Sequence, residues 1–300
     1  MDPIKEALTY DDVLLVPKYS KILPSETKIE TKLSNFLSLK IPIISSAMDT
    51  VTESSMAIEI AKLGGIGVIH RNLDIKNQIS EIKKVKSKNL KVGAAVGAGP
   101  LEIKRAEALL KEKIDLIVVD TAHGHTKKVA EIIKKIKKLK SKKTTLCAGN
   151  IATEGAAKFL SRLGVDAIKV GIGPGSICTT RLVAGIGVPQ LSAILAAKKG
   201  LGKKKIMLVA DGGIKFSGDI SKALAAGADA VMIGSLFAGS KESPGKLIKK
   251  NGKYFKSFRG MGSIGAMNKG SADRYFQKKQ KDPSKYVPEG VEGLVKYKGS

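Results

Sequence analysis

The chain has 300 residues, two cysteines, no tryptophan and a formal net charge of +26. This length suits one or two globular domains, or a single (β/α)8 barrel of about 250 residues with insertions. Hydrophobic residues make up 43% of the chain, which excludes an intrinsically disordered protein. The sequence offers neither an apolar run as long as a membrane span nor enough cysteines for a disulfide framework or a four-cysteine zinc site. We therefore expect a cytoplasmic globular protein with no membrane partner.

The positive charge does not by itself indicate a nucleic-acid-binding protein. Only six of the 53 basic residues are Arg, and aromatic residues, which could stack on bases, are 4% of the chain. In the stretch 126–140, apolar residues recur every three or four positions and lysines fill most of the rest, which predicts a helix with a solvated basic face. The apolar positions are Val129, Ile132, Ile133, Ile136 and Leu139. We expect nucleic acid to be an unlikely partner, although a non-catalytic nucleotide-binding protein stays an alternative.

After a mixed lead-in over residues 1–40, short apolar runs alternate with amphipathic stretches along the chain. The eight runs are Ile41–Met48, Ile66–His70, Val92–Gly97, Leu116–Ala122, Thr145–Ile151, Ala167–Gly171, Ile206–Ile214 and Ala230–Gly234. The seven amphipathic stretches are 53–63, 74–86, 101–112, 126–140, 153–163, 190–200 and 217–226. This alternation predicts an α/β fold whose eight parallel strands close into a (β/α)8, or TIM, barrel over a single domain 1–300.

One further feature of the sequence supports this barrel, and another modifies it. Residues 164–171 and 227–234 repeat one pattern, Gly-x-Asp-Ala followed by three mostly apolar residues and a final Gly, as expected for equivalent βα units. The segment 251–300 is rich in Lys, Gly and Ser and shows no amphipathic helix. We therefore expect 251–300 to be a flap-like excursion from the barrel rim, and the last barrel helix to be missing from the chain.

The loop after the sixth run, Gly171–Arg181, contains two more glycines, a proline and Cys178. Glycines let a backbone approach a ligand closely, and exposed amides or carbonyls there can hold a phosphate or a cation. Because Cys178 is flanked by Thr and Arg, we interpret it as functional. Cys147 lies within an apolar run and is interpreted as an inert core residue.

Polar and glycine residues also end the fourth, seventh and eighth runs. Asp211-Gly212-Gly213 and Gly234-Ser235 follow the last two runs, where barrel enzymes hold phosphate, and Asp211 could accept hydrogen bonds from a ribose. Asp120-Thr121-Ala122-His123-Gly124-His125 ends the fourth run. The two histidines are not interpreted as a metal site, because no acidic cluster joins them.

These motifs, together with the Ser45–Glu53 loop, resemble those of the IMP dehydrogenase / GMP reductase family. The resemblance includes Arg274-Tyr275-Phe276 and Val287–Gly290 in the segment 251–300, which we call the late segment. The resemblance runs from Leu8 to Gly299 and favours the dehydrogenase over its relative, GMP reductase. It implies NAD-dependent oxidation of IMP to xanthosine 5′-monophosphate, the committed step of guanine nucleotide synthesis. It also implies a homotetramer with IMP and NAD as ligands and potassium as a cation.

The resemblance further assigns roles to residues. The implied catalytic residues are the nucleophile Cys178, which would form a covalent thioimidate, and Arg274, Thr180 and Tyr275, which would act on water. The implied IMP contacts are Ser46, Met48, Ser176, Asp211, Gly212, Gly213, Gly234, Ser235, Phe258, Met261, Gly262 and Glu289. The implied NAD contacts are Asp120, Thr121, Ala122, Asn150, Lys169 and Gly171. The implied potassium ligands are the carbonyls of Gly173, Gly175 and Cys178.

The sequence departs from the family pattern in three places. Lys83–Lys91 stands as a short linker where the family inserts a regulatory CBS module, so regulation through such a module is not expected. Lys169 and Phe258 occupy positions where the family often has Arg and Tyr. The family's C-terminal cation ligands are expected to be missing after Ser300.

Overall fold

The computed structural model describes residues 6–300. Its strands are β1 (Thr31–Lys32), β2 (Ser38–Leu39), β3 (Ile43–Ser45), β4 (Ile66–Ile69), β5 (Val92–Val96), β6 (Leu116–Asp120), β7 (Thr145–Ile151), β8 (Ala167–Val170), β9 (Met207–Asp211), β10 (Ala230–Ile233), β11 (Leu247–Lys250), β12 (Lys253–Arg259) and β13 (Glu292–Lys296). Its α-helices are α1 (Ser54–Lys62), α2 (Ile75–Lys86), α3 (Glu102–Lys111), α4 (Lys127–Leu139), α5 (Glu154–Leu163), α6 (Thr180–Val183), α7 (Gln190–Leu201), α8 (Ser217–Ala225), α9 (Ser235–Ala238) and α10 (Ile264–Lys269).

Strands β3 to β10 form a closed parallel barrel in which β10 pairs with β3, so the predicted (β/α)8 fold is confirmed. The seven amphipathic stretches coincide with α1, α2, α3, α4, α5, α7 and α8 to within one residue at either end. The predicted strands are too long by up to three residues at an end, as at Ile41–Met48, where β3 spans Ile43–Ser45. The predicted strands are too long because apolar side chains continue from the strands into buried loops, which do not pair with a neighbouring strand.

Side-chain caps fix where several of these helices begin. Asp74 accepts a hydrogen bond from the amide of Asn77 at 2.7 Å, and Thr153 accepts one from Ala156 at 3.2 Å. Each cap satisfies an amide that the first helical turn leaves without a partner. The predicted apolar stripe of α4 is buried except at Leu139, which is 43% exposed because it ends the helix beyond the barrel wall.

The repeated Gly-x-Asp pattern caps the amino ends of barrel strands. Asp166 and Asp229 each exchange two hydrogen bonds with the backbone at the start of the preceding strand, at Leu146 and Leu208 respectively. Asp115 makes the same pair with Val92. Lys113-Ile114-Asp115 is therefore a third copy of the pattern. Lys113 has φ +53° where the other copies place glycines with φ +72° and +108°.

Secondary structure extends into the lead-in and the predicted linker, whereas the predicted lack of a full-length helix after β10 is confirmed for residues 6–300. The lead-in contains a short antiparallel pair, β1 with β2. Lys83–Lys86, predicted as linker, is the last turn of α2. After β10, the described chain holds only the short helices α9 and α10, not one of barrel length. None of the helices in residues 6–300 is long and apolar enough to span a membrane.

The late segment is more ordered in its secondary structure than its composition indicates. β11, β12 and β13 form an antiparallel sheet, and α10 and two 3-10 turns connect β12 to β13. Arg259 at the end of β12 joins this sheet to the barrel. Its guanidinium lies 2.5 Å from a carboxylate oxygen of Asp49, and its amide donates to Thr50 Oγ1 at 3.2 Å. The 251–300 region thus lies over the mouth of the barrel.

Candidate active site

A cavity opens at the carboxyl ends of the barrel strands, beneath the late segment. Most of the predicted site residues line it, namely Ser46, Met48, Asp120, Ala122, Asn150, Lys169, Gly171, Gly173, Gly175, Cys178, Thr180, Asp211, Gly212, Met261, Arg274, Tyr275 and Glu289. Seven other lining residues are not among the predicted site residues. They are Ala47, Val118, Ile172, Pro174, Ile177, Met232 and Gly260. These seven are apolar, proline or glycine, so nothing in their chemistry distinguishes them from core residues in the sequence.

Cys178 faces this cavity from a loop held at both ends. Its sulfur lies 3.2 Å from Thr180 Oγ1, and its amide donates to the carbonyl of Gly175 at 3.1 Å. The amide of Thr179 donates to the carbonyl of Glu289 at 3.0 Å, which joins the loop to the segment preceding β13. Cys178 is half-buried, so a ligand in the cavity can reach its sulfur.

Cys147 provides the contrast. It lies in β7 and is 1% exposed, as the sequence predicts for a core residue. Burial raises the pKa of its thiol to about 12. Since the thiolate is the reactive form of cysteine, Cys147 is inert at neutral pH.

A buried ionic cluster forms the floor of the cavity, with Lys169 at its centre. Lys169 is 2% exposed, and its Nζ lies 2.9 Å from Asp120 Oδ1 and 2.5 Å from Asp211 Oδ2. It also donates to Asn150 Oδ1, and Asn150 Nδ2 donates to Asp211 Oδ2 at 2.9 Å. One cation therefore holds two carboxylates that extend from β6 and β9. Such a pairing compensates the large cost of burying each charge alone.

Arg274 completes this cluster from the opposite side. It lies in the 3-10 turn Ser271–Tyr275, and its guanidinium forms an ion pair with Asp120. Its carbonyl accepts a hydrogen bond from the amide of Ala122 at 3.0 Å. The pKa of Arg274 is lowered, chiefly because burial penalises the charged guanidinium. The turn is thus in contact with the barrel, with Arg274 covering Asp120.

Tyr275 and Gly262 lie together on the late segment. A Cβ added to Gly262 would lie 2.8 Å from Cζ of Tyr275, so the glycine leaves the room that the ring occupies. Burial raises the pKa of the Tyr275 hydroxyl, and the neighbouring Arg274 charge partly opposes that rise. The hydroxyl therefore stays protonated at neutral pH and can act as a hydrogen-bond donor.

Seven predicted site residues lie outside the lining. Thr121 donates from its hydroxyl to the carbonyl of Gly149, and Ser176 is exposed on the Cys178 loop. A Cβ on Gly234 would lie 3.0 Å from Met48 Sδ, and one on Gly213 would lie 3.3 Å from the Tyr10 ring. Phe258 packs in a small apolar cluster with Val51 and Ala238 and is 3% exposed. The remaining two are Gly262, described above, and Ser235.

Side chains that were not predicted from the sequence also hold the site together. Gln190 donates to the carbonyls of Val170 at 2.8 Å and Asp211 at 3.1 Å, which fixes the ends of β8 and β9. Arg71, in the loop after β4, pairs with Asp273. Arg is rare in this chain, and that rarity was the one available signal for Arg71.

The fold and the site define the class of this protein. A parallel (β/α)8 barrel with a cysteine on a glycine-rich loop, facing a cavity at the carboxyl ends of the strands, has the organisation of a barrel enzyme. A family model described as the IMP dehydrogenase / GMP reductase domain matches residues 7–300. The chain belongs to this family.

Individual relatives agree with this assignment. The inosine-5′-monophosphate dehydrogenase of Borreliella burgdorferi is 50% identical to this chain, with 98% of the chain and 85% of the relative aligned. That of Cryptosporidium parvum is 48% identical, with 99% and 84% aligned. That of Rhodopirellula baltica is 39% identical, with 97% and 77% aligned. The relatives carry the names of dehydrogenases, which are oxidoreductases, and this chain is an enzyme of that kind.

Proposed function

We propose that this enzyme oxidises IMP to xanthosine 5′-monophosphate with NAD as the acceptor, a committed step of guanine nucleotide synthesis. The observation that carries the proposal is that Cys178 and Arg274 line one cavity from two separate segments. A nucleophile on the barrel and a guanidinium on the late segment suit a reaction with a covalent step and a hydrolytic step.

In the first step, the Cys178 thiolate adds to C2 of the purine and a C–S bond forms. The hydrogen on C2 departs with its electron pair, and the C2–N double bond is restored as a thioimidate. NAD, when bound, supplies the acceptor for that hydride. Thr180, whose hydroxyl lies 3.2 Å from the sulfur, orients the nucleophile.

In the second step, water adds to C2 and its proton passes to Arg274. The C–S bond then breaks, which releases the product and returns Cys178 to its starting form. An Arg accepts a proton only when it is neutral, and its ordinary pKa is above 12. The burial that lowers the pKa of Arg274 supports this role. Tyr275 beside it supplies a hydrogen-bond donor to the same water.

NAD fits the side of the cavity lined by Asp120, Ala122 and Asn150. Within residues 6–300, Asp120 Oδ1 is paired only with the ammonium of Lys169, so it can accept a hydrogen bond from a bound amide. Arg274 reaches the same carboxylate. We therefore propose that Arg274 and the nicotinamide occupy this region in turn, so that hydride transfer precedes closure of the Arg274 turn. Thr121, Lys169 and Gly171 support the same side from the strand ends.

IMP fits the opposite side. Asp211, beside Asn150 and Lys169, would accept from the ribose hydroxyls, while Met48, Met261 and Glu289 would line the base. The phosphate would be bound by backbone amides and hydroxyls, at Ser46, Ser176, Gly212, Gly213, Gly234 and Ser235. Phe258, which lies in an apolar cluster, would support Met48 rather than touch the nucleotide.

Potassium would bind at the glycine-rich loop that follows β8. The carbonyls of Gly173, Gly175 and Cys178 are suitable oxygen ligands. However, the Gly175 carbonyl already accepts a hydrogen bond from Cys178, and the Arg181 side chain packs against Gly173. The loop therefore offers only part of a coordination shell. NADH formation with potassium replaced by sodium tests this part.

Assembly as a homotetramer in the cytoplasm completes the proposal. Three large apolar side chains in the lead-in, Leu14, Val16 and Tyr19, are at least 80% exposed, which supports their burial by another subunit. Light scattering at several protein concentrations tests the oligomeric state.

The central experiment mixes the protein with IMP and NAD and follows NADH absorbance. The proposal expects a rapid burst of NADH, followed by a slower steady rate. The same protein mixed with GMP and NADPH tests GMP reductase, the alternative. NADPH consumption with GMP, without NADH formation from IMP, overturns the dehydrogenase. Binding of IMP without either reaction would indicate the second alternative, a non-catalytic nucleotide-binding barrel.

A further inference from the structure

The turn that carries Arg274 is attached to the barrel by an ion pair that the proposed mechanism does not use. Asp273, directly before Arg274, lies 2.8 Å from the Nη1 of Arg71 through Oδ1 and 3.1 Å through Oδ2. Arg71 lies in the loop after β4 and precedes Asp273 by 202 positions in the chain. Its side chain is only 6% exposed, whereas that of Asp273 is 39% exposed. The barrel therefore supplies a fixed, buried cation, and the turn supplies the partner.

The surroundings leave space for this pair. A Cβ added to Gly97, just after β5, would lie 2.9 Å from Cζ of Arg71 and 3.1 Å from Asp273 Oδ2. A Cβ on Gly99 would also contact Asp273 Oδ2, at 3.4 Å. Asn72, next to Arg71, donates to the carbonyl of Ala266 in α10 at 3.2 Å. The loop after β4 thus contacts the late segment at two places, Asp273 and Ala266.

We propose that Arg71 is a positioning residue for the hydrolytic step, which holds the Ser271–Tyr275 turn against the barrel through Asp273 so that Arg274 stays at Asp120. This inference rests on the function proposed above. The geometry supports it because Asp273 and Arg274 are consecutive. Holding the Asp273 carboxylate fixes the backbone from which the Arg274 side chain extends. A misplacement of about 1 Å in a reacting group can cost 10²-fold in rate.

Arg71 has a second, electrostatic effect on the same residue. Its positive charge lowers the pKa of Arg274 further, in the same direction as burial, which is the larger cause. Burial and the Arg71 charge both lower the pKa of Arg274, whereas the neighbouring Tyr275 and the ion pair with Asp120 favour the charged guanidinium. Removing the Arg71 charge should therefore raise the pKa of Arg274 and move the rising limb of the hydrolytic rate to higher pH.

The test compares Arg71→Gln, Arg71→Lys and Asp273→Asn in the full chain with IMP and NAD. Arg71→Gln and Asp273→Asn should keep the NADH burst and lower the steady rate, by roughly 10²-fold at most. Arg71→Lys keeps the charge and should recover part of the rate. The pH profile of the steady rate should shift upward in Arg71→Gln and less in Arg71→Lys. Arg162→Gln and Glu107→Gln, both on exposed positions of the helical layer, are matched controls.

Asp273→Asn separates positioning from a folding defect, because Asp273 is part-exposed and Arg71 is buried. A loss in Arg71→Gln without one in Asp273→Asn overturns the inference, and so does a burst that falls as far as the steady rate. An unchanged steady rate in both variants overturns it too.

Hydrogen exchange supplies a readout that does not depend on turnover. The Ala122 amide, which donates to the Arg274 carbonyl, should exchange faster in both Arg71→Gln and Asp273→Asn than in the unmodified protein. Unchanged exchange at Ala122 overturns the inference. If the unmodified protein forms no NADH from IMP, the proposed function fails, while the exchange result still decides whether Arg71 holds the turn.

Discussion

The guanidinium of Arg274 forms an ion pair with the carboxylate of Asp120, 154 positions earlier in the chain. Asp120 ends a barrel strand, and Arg274 lies on a turn outside the barrel. The resemblance to the family assigns Asp120 to the nicotinamide side and Arg274 to the water. Arg274 therefore occupies the side of Asp120 on which the nicotinamide is proposed to bind, which gives a structural reason for two consecutive steps.

Replacing Arg274 with Ala should leave hydride transfer intact and impair hydrolysis. We expect an NADH burst of nearly full size, because Cys178 and its loop are unchanged. The steady rate should fall by about 10²–10⁴, the usual contribution of general acid–base catalysis. Stopped-flow absorbance measures both phases. Loss of the burst while IMP still binds would place Arg274 in the first step.

A thiol-directed purine nucleotide should modify Cys178 alone. Cys178 is half-buried at the cavity, whereas Cys147 is 1% exposed with a pKa raised to about 12. Mass spectrometry of the digested protein should find one adduct, on the peptide containing Cys178. Cys178→Ser should abolish both the adduct and the NADH burst, whereas Cys147→Ser should keep both. An adduct on Cys147 would contradict the assignment.

Lys169→Met should destabilise the protein by about 3–5 kcal/mol, the usual cost of removing one partner from a buried charge pair. The variant leaves Asp120 and Asp211 without their shared cation. Lys169→Arg retains the charge and should lose less. Urea denaturation measures the free energy of unfolding in each case. A loss below about 1 kcal/mol in Lys169→Met would mean that Lys169 does not hold this cluster.

Lys113→Gly should stabilise the fold by roughly 0.5–1 kcal/mol, because Lys113 has φ +53° and only glycine adopts that region without steric cost. Lys113→Ala is the matched control and should not stabilise, because it retains a Cβ. Gly227→Ala, in another copy of the pattern, should destabilise by about 1 kcal/mol or more. Thermal and urea denaturation measure all three. Equal stability of Lys113→Gly and Lys113→Ala would refute the conformational explanation.

The Asp49–Arg259 pair should make stability depend on pH in the acid range. Burial raises the pKa of Asp49, but its hydrogen bonds and charge interaction with Arg259 outweigh burial, so the net pKa is lowered. The folded state then binds the proton less readily than the unfolded state, whose Asp pKa is about 3.9. The stabilisation is present above about pH 4 and is lost as the pH falls through the folded pKa.

Asp49→Asn tests this dependence. At pH 7 it should lower the free energy of unfolding by about 3 kcal/mol, since Arg259 loses its buried partner. The difference from the unmodified protein should shrink as the pH falls below about 4. Denaturant titrations from pH 7 downward measure it. A difference that is the same at every pH would show that the Asp49 charge is not the cause.

Local patterns in the sequence were enough to predict the barrel. The helices are predicted to within one residue because periodicity and caps such as Asp74 and Thr153 act over a few neighbouring residues. The strands are predicted to exist, but their ends are not, because buried loops such as 46–48 are as apolar as strands. Lys113-Ile114-Asp115 is not recognisable in the sequence as a third copy of the Gly-x-Asp pattern, because Lys113 stands in place of the glycine. Its positive φ is a backbone property that its side chain does not indicate.

Tertiary structure decided which distant residues meet. The sequence alone marked Cys178 and set Cys147 apart, because glycine-rich and apolar surroundings are local. It could not pair Arg274 with Asp120, Arg71 with Asp273 or Arg259 with Asp49, since each pair joins the barrel to a late segment without helical or strand periodicity. Nor could it show that Lys169 holds two carboxylates. The strength of a charge pair depends on the distance between the charges and on their burial. This distance and this burial arise only when the barrel closes and the late segment folds over its mouth.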